Sequence, residues 1–200
     1  MNKILSGVIF GLSLSTFANA NPKVQSGIYE QLMIAVTPDN RIEAYYHELT
    51  GDNTAMSCSF YIEGNIKNPK NIPITIKSME KHNGKLDFDN EKVTLTINEN
   101  YGLAGCMNSL APSIMQGTDY SLTYNKKWIG LKTISVEKAY LYNEPNLNAK
   151  HKVYVVKDNI VAVLEEKGDW TFIEYRSEQD KFYKGWIKKE QYITLSKTKW

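Results

Sequence analysis

Thr37-Pro38-Asp39-Asn40-Arg41-Ile42-Glu43-Ala44-Tyr45-Tyr46 reads as a turn followed by a strand. Pro38, Asp39 and Asn40 are turn formers, and Ile42, Ala44 and Tyr46 then alternate with Arg41, Glu43 and Tyr45 through to Leu49. A period of two puts the apolar residues on one face of a sheet. The texture continues in both directions. Upstream, Gly27 to Val36 is one apolar, β-prone run. Downstream, Gly51-Asp52-Asn53 marks a turn before Ser57 to Ile62, where Cys58, Phe60 and Ile62 share a face. Ile72 to Lys77 alternates again after breaks at Asn68-Pro69 and Ile72-Pro73. Leu86-Asp87-Phe88 and Val93-Thr94-Leu95-Thr96-Ile97 then form a hairpin around Asp89-Asn90-Glu91-Lys92. Short strands at this spacing predict an N-terminal antiparallel β-meander or small barrel over residues 21–127.

The first twenty residues read differently. Lys3 supplies a charged end, Ile4 to Thr16 a short apolar stretch, and Ala18-Asn19-Ala20 an A-x-A cleavage site. That order is the secretory signal pattern, and the apolar run is too short to span a membrane comfortably. Residues 1–20 are therefore expected to be a signal peptide, cut after Ala20, and the mature chain to be periplasmic with no membrane span. Its charge is nearly balanced. Residues 21–130 carry 10 Lys and Arg against 12 Asp and Glu, and residues 131–200 carry 13 against 10. Neither half has the dense basic face that binding a phosphate backbone needs, so nucleic acid is not an expected partner.

Two cysteines, Cys58 and Cys106, occur in the whole chain. In an oxidising compartment such a pair is expected to close a disulfide, which restricts the unfolded chain by roughly 4 kcal/mol in the entropy model for a loop of this length. A nucleophilic cysteine served by His47, His82 or His151 is the competing reading, and it needs a depressed thiol pKa and a base in reach. Two cysteines and three scattered histidines also give no metal-ligand spacing. No Ser/His/Asp arrangement, His-Glu-x-x-His or phosphate-cradling Gly-Lys loop occurs either, so no catalytic residue, metal or cofactor is expected. The stretch 100–118 breaks the strand pattern with Gly102, Gly105, Pro112 and Gly117 among Leu103, Met107, Leu110, Ile114 and Met115. It reads as a loop with one helical turn that plugs a barrel end through Cys106, or as the lining of a binding mouth.

Lys126 to Gly130 is the expected joint, and the motifs after it are sharper. Lys138-Ala139-Tyr140-Leu141-Tyr142-Asn143-Glu144-Pro145 is followed by Lys152 to Lys157, by Ile160 to Leu164, by Gly168-Asp169-Trp170 and by Gly185-Trp186-Ile187. In this order, residues 131–195 resemble a bacterial SH3-type (SH3b) domain. The chain departs from the family's pattern where Tyr140-Leu141-Tyr142 replaces an Asn-Val-Arg run and where Asp158-Asn159 replaces a Gly-Asp. Gly168-Asp169 reads as a hairpin turn, with Trp170 and Ile173 expected to face inward. The fold class expected for the whole chain is all-β, the meander or small barrel being followed by an SH3-like β-barrel.

The resemblance implies a non-catalytic module that binds cell-wall peptides or envelope proteins, with Tyr140, Tyr142, Tyr175 and Trp186 as the expected contact residues. Flat rings grip an extended peptide at low entropic cost. The expected partners are thus a peptidoglycan peptide or an envelope protein. The alternative is an immunity or inhibitor protein that neutralises a secreted toxin or a wall hydrolase. Intact-mass measurement of exported protein is expected to show a chain beginning at Asn21 with no alkylatable thiol. Two free thiols in non-reduced material would contradict the disulfide.

Overall fold

The computed structural model describes residues 23–50, 56–99, 103, 106, 110 and 112–198. The expected leader and most of the 100–111 stretch lie outside them. The fold is all-β. Strands β1 (Gly27–Tyr29), β2 (Leu32–Val36), β3 (Arg41–Thr50), β4 (Met56–Asn65), β5 (Ile72–Lys77), β6 (Lys81–Asp89), β7 (Lys92–Ile97) and β8 (Thr118–Asn125) form a closed antiparallel barrel. Each strand pairs with the next, and β1 closes on β8 through Gly27↔Asn125 and Ile28↔Tyr124. Eight strands leave an interior that side chains can fill. Leu32, Ile34, Ile42, Ile62, Ile76, Leu86 and Phe88 occupy it, and Tyr46 stacks on Phe60 at 4.8 Å.

The run Gly27 to Val36 is two strands rather than one. Glu30 takes the left-handed conformation (φ 54°) between β1 and β2, and its carboxylate accepts a hydrogen bond from the Ser121 backbone amide at 2.8 Å. Neither Gly nor Pro marks this turn. Cys58 and Cys106 are bonded. Leu103, Cys106, Leu110 and Ile114 all join the interior cluster, and Pro112–Met115 forms a 3-10 turn packed on β7 and β8.

The chain then builds a second, curled sheet. Its strands are β9 (Gly130–Ile134), β10 (Lys138–Tyr142), β11 (Lys150–Val156), β12 (Ile160–Lys167), β13 (Trp170–Arg176), β14 (Phe182–Lys188) and β15 (Tyr192–Thr194), in the order β11-β10-β14-β13-β12-β9-β15. Its concave face holds Ile134, Ala139, Leu141, Val155, Val161, Ile173 and Ile187. The Gly168-Asp169 turn joins β12 to β13, with Gly168 at φ 55°, a conformation that costs glycine little. At the β11–β12 turn the left-handed residue is Asp158 (φ 66°), while the Asn159 side chain accepts the Val156 amide at 3.0 Å. Trp170 does not face inward with Ile173. Three residues apart on one strand, the two must point to opposite faces, and Trp170 lies on the convex side.

The strand joint is built from both sheets. Trp128 is buried, its carbonyl accepts the Ser26 hydroxyl at 2.7 Å, and its indole N–H donates to Glu174 at 2.8 Å. Glu174 is 2% exposed and also meets Lys126 at 3.1 Å and Lys184 at 3.3 Å. On the barrel side, Glu43 accepts the Leu131 amide at 2.8 Å. Around these groups Ile28, Ala35 and Tyr61 of the barrel wall pack with Trp128, Leu131, Ala162 and Leu195. Among the described residues no helix is long and apolar enough to cross a membrane.

Removing Glu174 leaves the buried Trp128 indole N–H without its acceptor and Lys126 without its counter-ion. Glu174→Ala is therefore expected to lower the unfolding free energy by about 1–3 kcal/mol, read by urea denaturation. A loss within experimental scatter would show that the joint holds without it.

Candidate functional site

The convex face of the second sheet carries a row of aromatic side chains that crosses four strands. Tyr140 stands opposite Tyr154 on β11, the rings 5.6 Å apart. Tyr142 stands opposite Trp186 on β14, and Trp186 opposite Phe172 on β13, with the latter two rings 5.2 Å apart. Tyr142 also meets Trp170 edge-on at 5.0 Å. The period of two explains the row, because 140 and 142, 170 and 172 keep one side of their strands. Gly185 lets β10 approach β14 closely, since a Cβ there would lie 2.7 Å from Leu141 Cβ on the concave side. The row depends on that approach.

Trp170 and Trp186 are only 8% and 9% exposed, yet neither belongs to the concave core. Tyr142 packs edge-on against Trp170 and Phe172 packs against Trp186, while lysines lie over Trp170, Tyr140 and Tyr154. Lys188 Nζ sits 4.4 Å from the centre of the Trp170 ring, Lys150 Nζ 3.4 Å from that of Tyr140, and Lys138 Nζ 4.8 Å from that of Tyr154. Each is a cation–π contact of modest strength at an exposed site. The surface thus offers flat apolar area and positive charge together. Such a face suits non-covalent recognition.

Of the expected contact residues, Tyr140, Tyr142 and Trp186 come together here. Tyr175 does not. It lies on the opposite side of β13, paired with Tyr183, and packs against the concave core. Burial raises its phenol pKa, with a further push from Glu178. Tyr175 lines instead an open cleft of about 1050 Å³ between the outer barrel wall and the second sheet. Met33, Tyr45 and His47 form the barrel side of this cleft, and the 177–180 turn supplies Glu178 and Asp180 opposite. Tyr45 and His47 stack at 5.9 Å, almost parallel. Burial lowers the His47 imidazole below its ordinary range, and Glu178 partly opposes that shift. Sequence reading missed this cleft because Tyr45 and His47 lie more than a hundred residues from Tyr175 and Glu178 in the chain.

Comparison with known proteins finds no matching family model and no similar curated protein or solved structure. The fold defines the class, an all-β protein of one closed barrel and one curled sheet, and the functional reading rests on the geometry of these two surfaces.

The cleft makes a titration prediction. Removing the Glu178 charge takes away the attraction that favours the imidazolium, so Glu178→Gln is expected to move the His47 pKa further down, measured by NMR. An imidazole held below its unfolded value binds fewer protons in the folded state. Its contribution to stability is therefore complete above the ordinary histidine range, about pH 6.5, and is lost as pH falls below it. An upward shift in the variant would mean that Glu178 does not face His47 in solution.

Proposed function

We propose that the protein is a non-catalytic recognition protein of the bacterial cell envelope, exported to the periplasm. Residues 131–195 act as its SH3-type module and hold a peptidoglycan peptide or an envelope protein. What supports the reading is one observation above all: Tyr142, Trp170, Phe172 and Trp186 form a contiguous aromatic row on the convex face, outside the core that stabilises the sheet. Tyr140, Tyr142, Phe172 and Tyr154 keep part of their rings open to solvent beside the buried Trp170 and Trp186, and a partly exposed aromatic patch has recognition as a physical use. The barrel interior, by contrast, is filled by its own side chains and serves as scaffold.

Retention of the mature protein on purified peptidoglycan sacculi tests the proposal. Tyr142→Ala is expected to weaken binding by roughly 1–3 kcal/mol, the range for an aromatic anchor. Thermal stability should fall by no more than the worth of one aromatic pair, about 1 kcal/mol. Unchanged binding with a larger loss of stability would mark Tyr142 as a packing residue. Failure of the sacculi to retain the unaltered protein would favour the inhibitor reading.

A further inference from the structure

We infer that the free edge of β11, where the aromatic row ends, takes an acidic, extended peptide as an added strand. The inference rests on the recognition reading above and specifies the ligand chemistry of the same surface. β11 is the terminal strand of the sheet, and among the described residues no strand pairs with its outer side. Its Val156 amide turns away from β10 and donates to the Asn159 side chain, and Tyr154 shares that side of the strand by its period of two. An exposed local bond of this kind is one that a peptide carbonyl replaces when a strand is added to a sheet edge. Tyr154 and Val156 are 43% and 40% exposed, which leaves apolar side chains at that edge for the added strand to cover.

Charge selects the occupant. Lys138 and Lys150 lie over rings of the row beside that edge, and neither has a carboxylate partner among the described residues. Lys152 is also exposed on β11. The acids nearby are committed elsewhere or stand apart: Glu174 is buried at the joint with Lys184, Glu137 pairs with Lys157, Glu144 accepts from Asn146, and Glu165 lies on β12, four strands along the sheet from β11. A second copy of this chain is a poor occupant, because pairing two β11 edges would gather Lys150 and Lys152 of both copies along one short seam with no acid on either strand. An acidic peptide meets both demands. Its backbone satisfies the edge at a period of two, and its carboxylates reach the lysines.

The test uses the mature, disulfide-intact protein and a displayed library of random ten-residue peptides. Selected sequences are expected to carry Asp or Glu at alternating positions. A fluorescein-labelled synthetic copy of the strongest should lose at least tenfold in affinity when its Asp and Glu become Asn and Gln, and again when alternate backbone amides are N-methylated. It should also lose at least tenfold on the Lys138→Glu, Lys150→Glu double variant, whose exposed substitutions leave the thermal transition in place. The Lys138→Gln, Lys150→Gln pair serves if charge reversal disturbs folding. Absence of selected binders, binders free of acids, or indifference to N-methylation would overturn the inference. So would binding of polygalacturonate with no binding of peptide. Sacculus retention without acidic binders would sink this inference and leave the recognition reading standing; loss of both would remove both.

Discussion

The carboxylate of Glu174 has almost no contact with water, and it is held by an indole N–H and two ammonium groups. Burying an unpaired carboxylate costs several kcal/mol, so β13 can occupy its position only if Trp128 and Lys126 arrive at theirs. That requirement fixes the linker, and the linker fixes the second sheet against the barrel. Lys126 Nζ also lies 3.7 Å from the centre of the Phe182 ring, drawing the start of β14 into the same joint. From there Lys184 and then Trp186 continue along β14 on the convex side. The aromatic row is thus an extension of the joint.

The joint also changes what the barrel wall is made of. In an isolated barrel of this size the outward positions would be polar, because only the interior escapes water. Here Ile28, Ala35 and Tyr61 point outward and are buried by Leu131, Ala162 and Leu195. Apolar burial supplies the driving force, and Glu43 and Glu174 supply the alignment, since each accepts hydrogen bonds whose geometry tolerates little sliding. The cleft beside Tyr45 and His47 is the part of this contact that the two curved surfaces cannot fill.

The alternation in Arg41 to Tyr46 made the strands legible, and turn residues located most of the boundaries. Closure of the barrel was not legible, because the pairing of Gly27 with Asn125 leaves no mark on either segment. The hairpin at Glu30 was hidden for a local reason, as a non-glycine residue holds a left-handed backbone there. Glu174 gave no signal either. A lone acid at an alternating position in a strand reads as solvent-facing, and only the arrival of Trp128 from another part of the chain makes it a core residue. The contact residues divided for a reason the sequence did contain: strand parity separates Tyr175 from Phe172 and Ile173 from Trp170.

A barrel closed by its first and last strands has no finished intermediate size. Ile28 cannot find its partner on β8 until some ninety-five further residues have emerged, whether from a ribosome or a translocation pore. Until then β1 and the leading strand of the growing sheet are both open edges, and the long loop between their ends makes closure a late, entropically costly event. The Cys58–Cys106 bond lies wholly inside that loop and becomes possible before β8 appears. It can tie down the end of the barrel while the wall is still open. The second sheet docks on strands β1 to β4, the first to emerge, while its own strands are the last. Folding order is therefore written into the topology, with the aromatic face of the second sheet completed last.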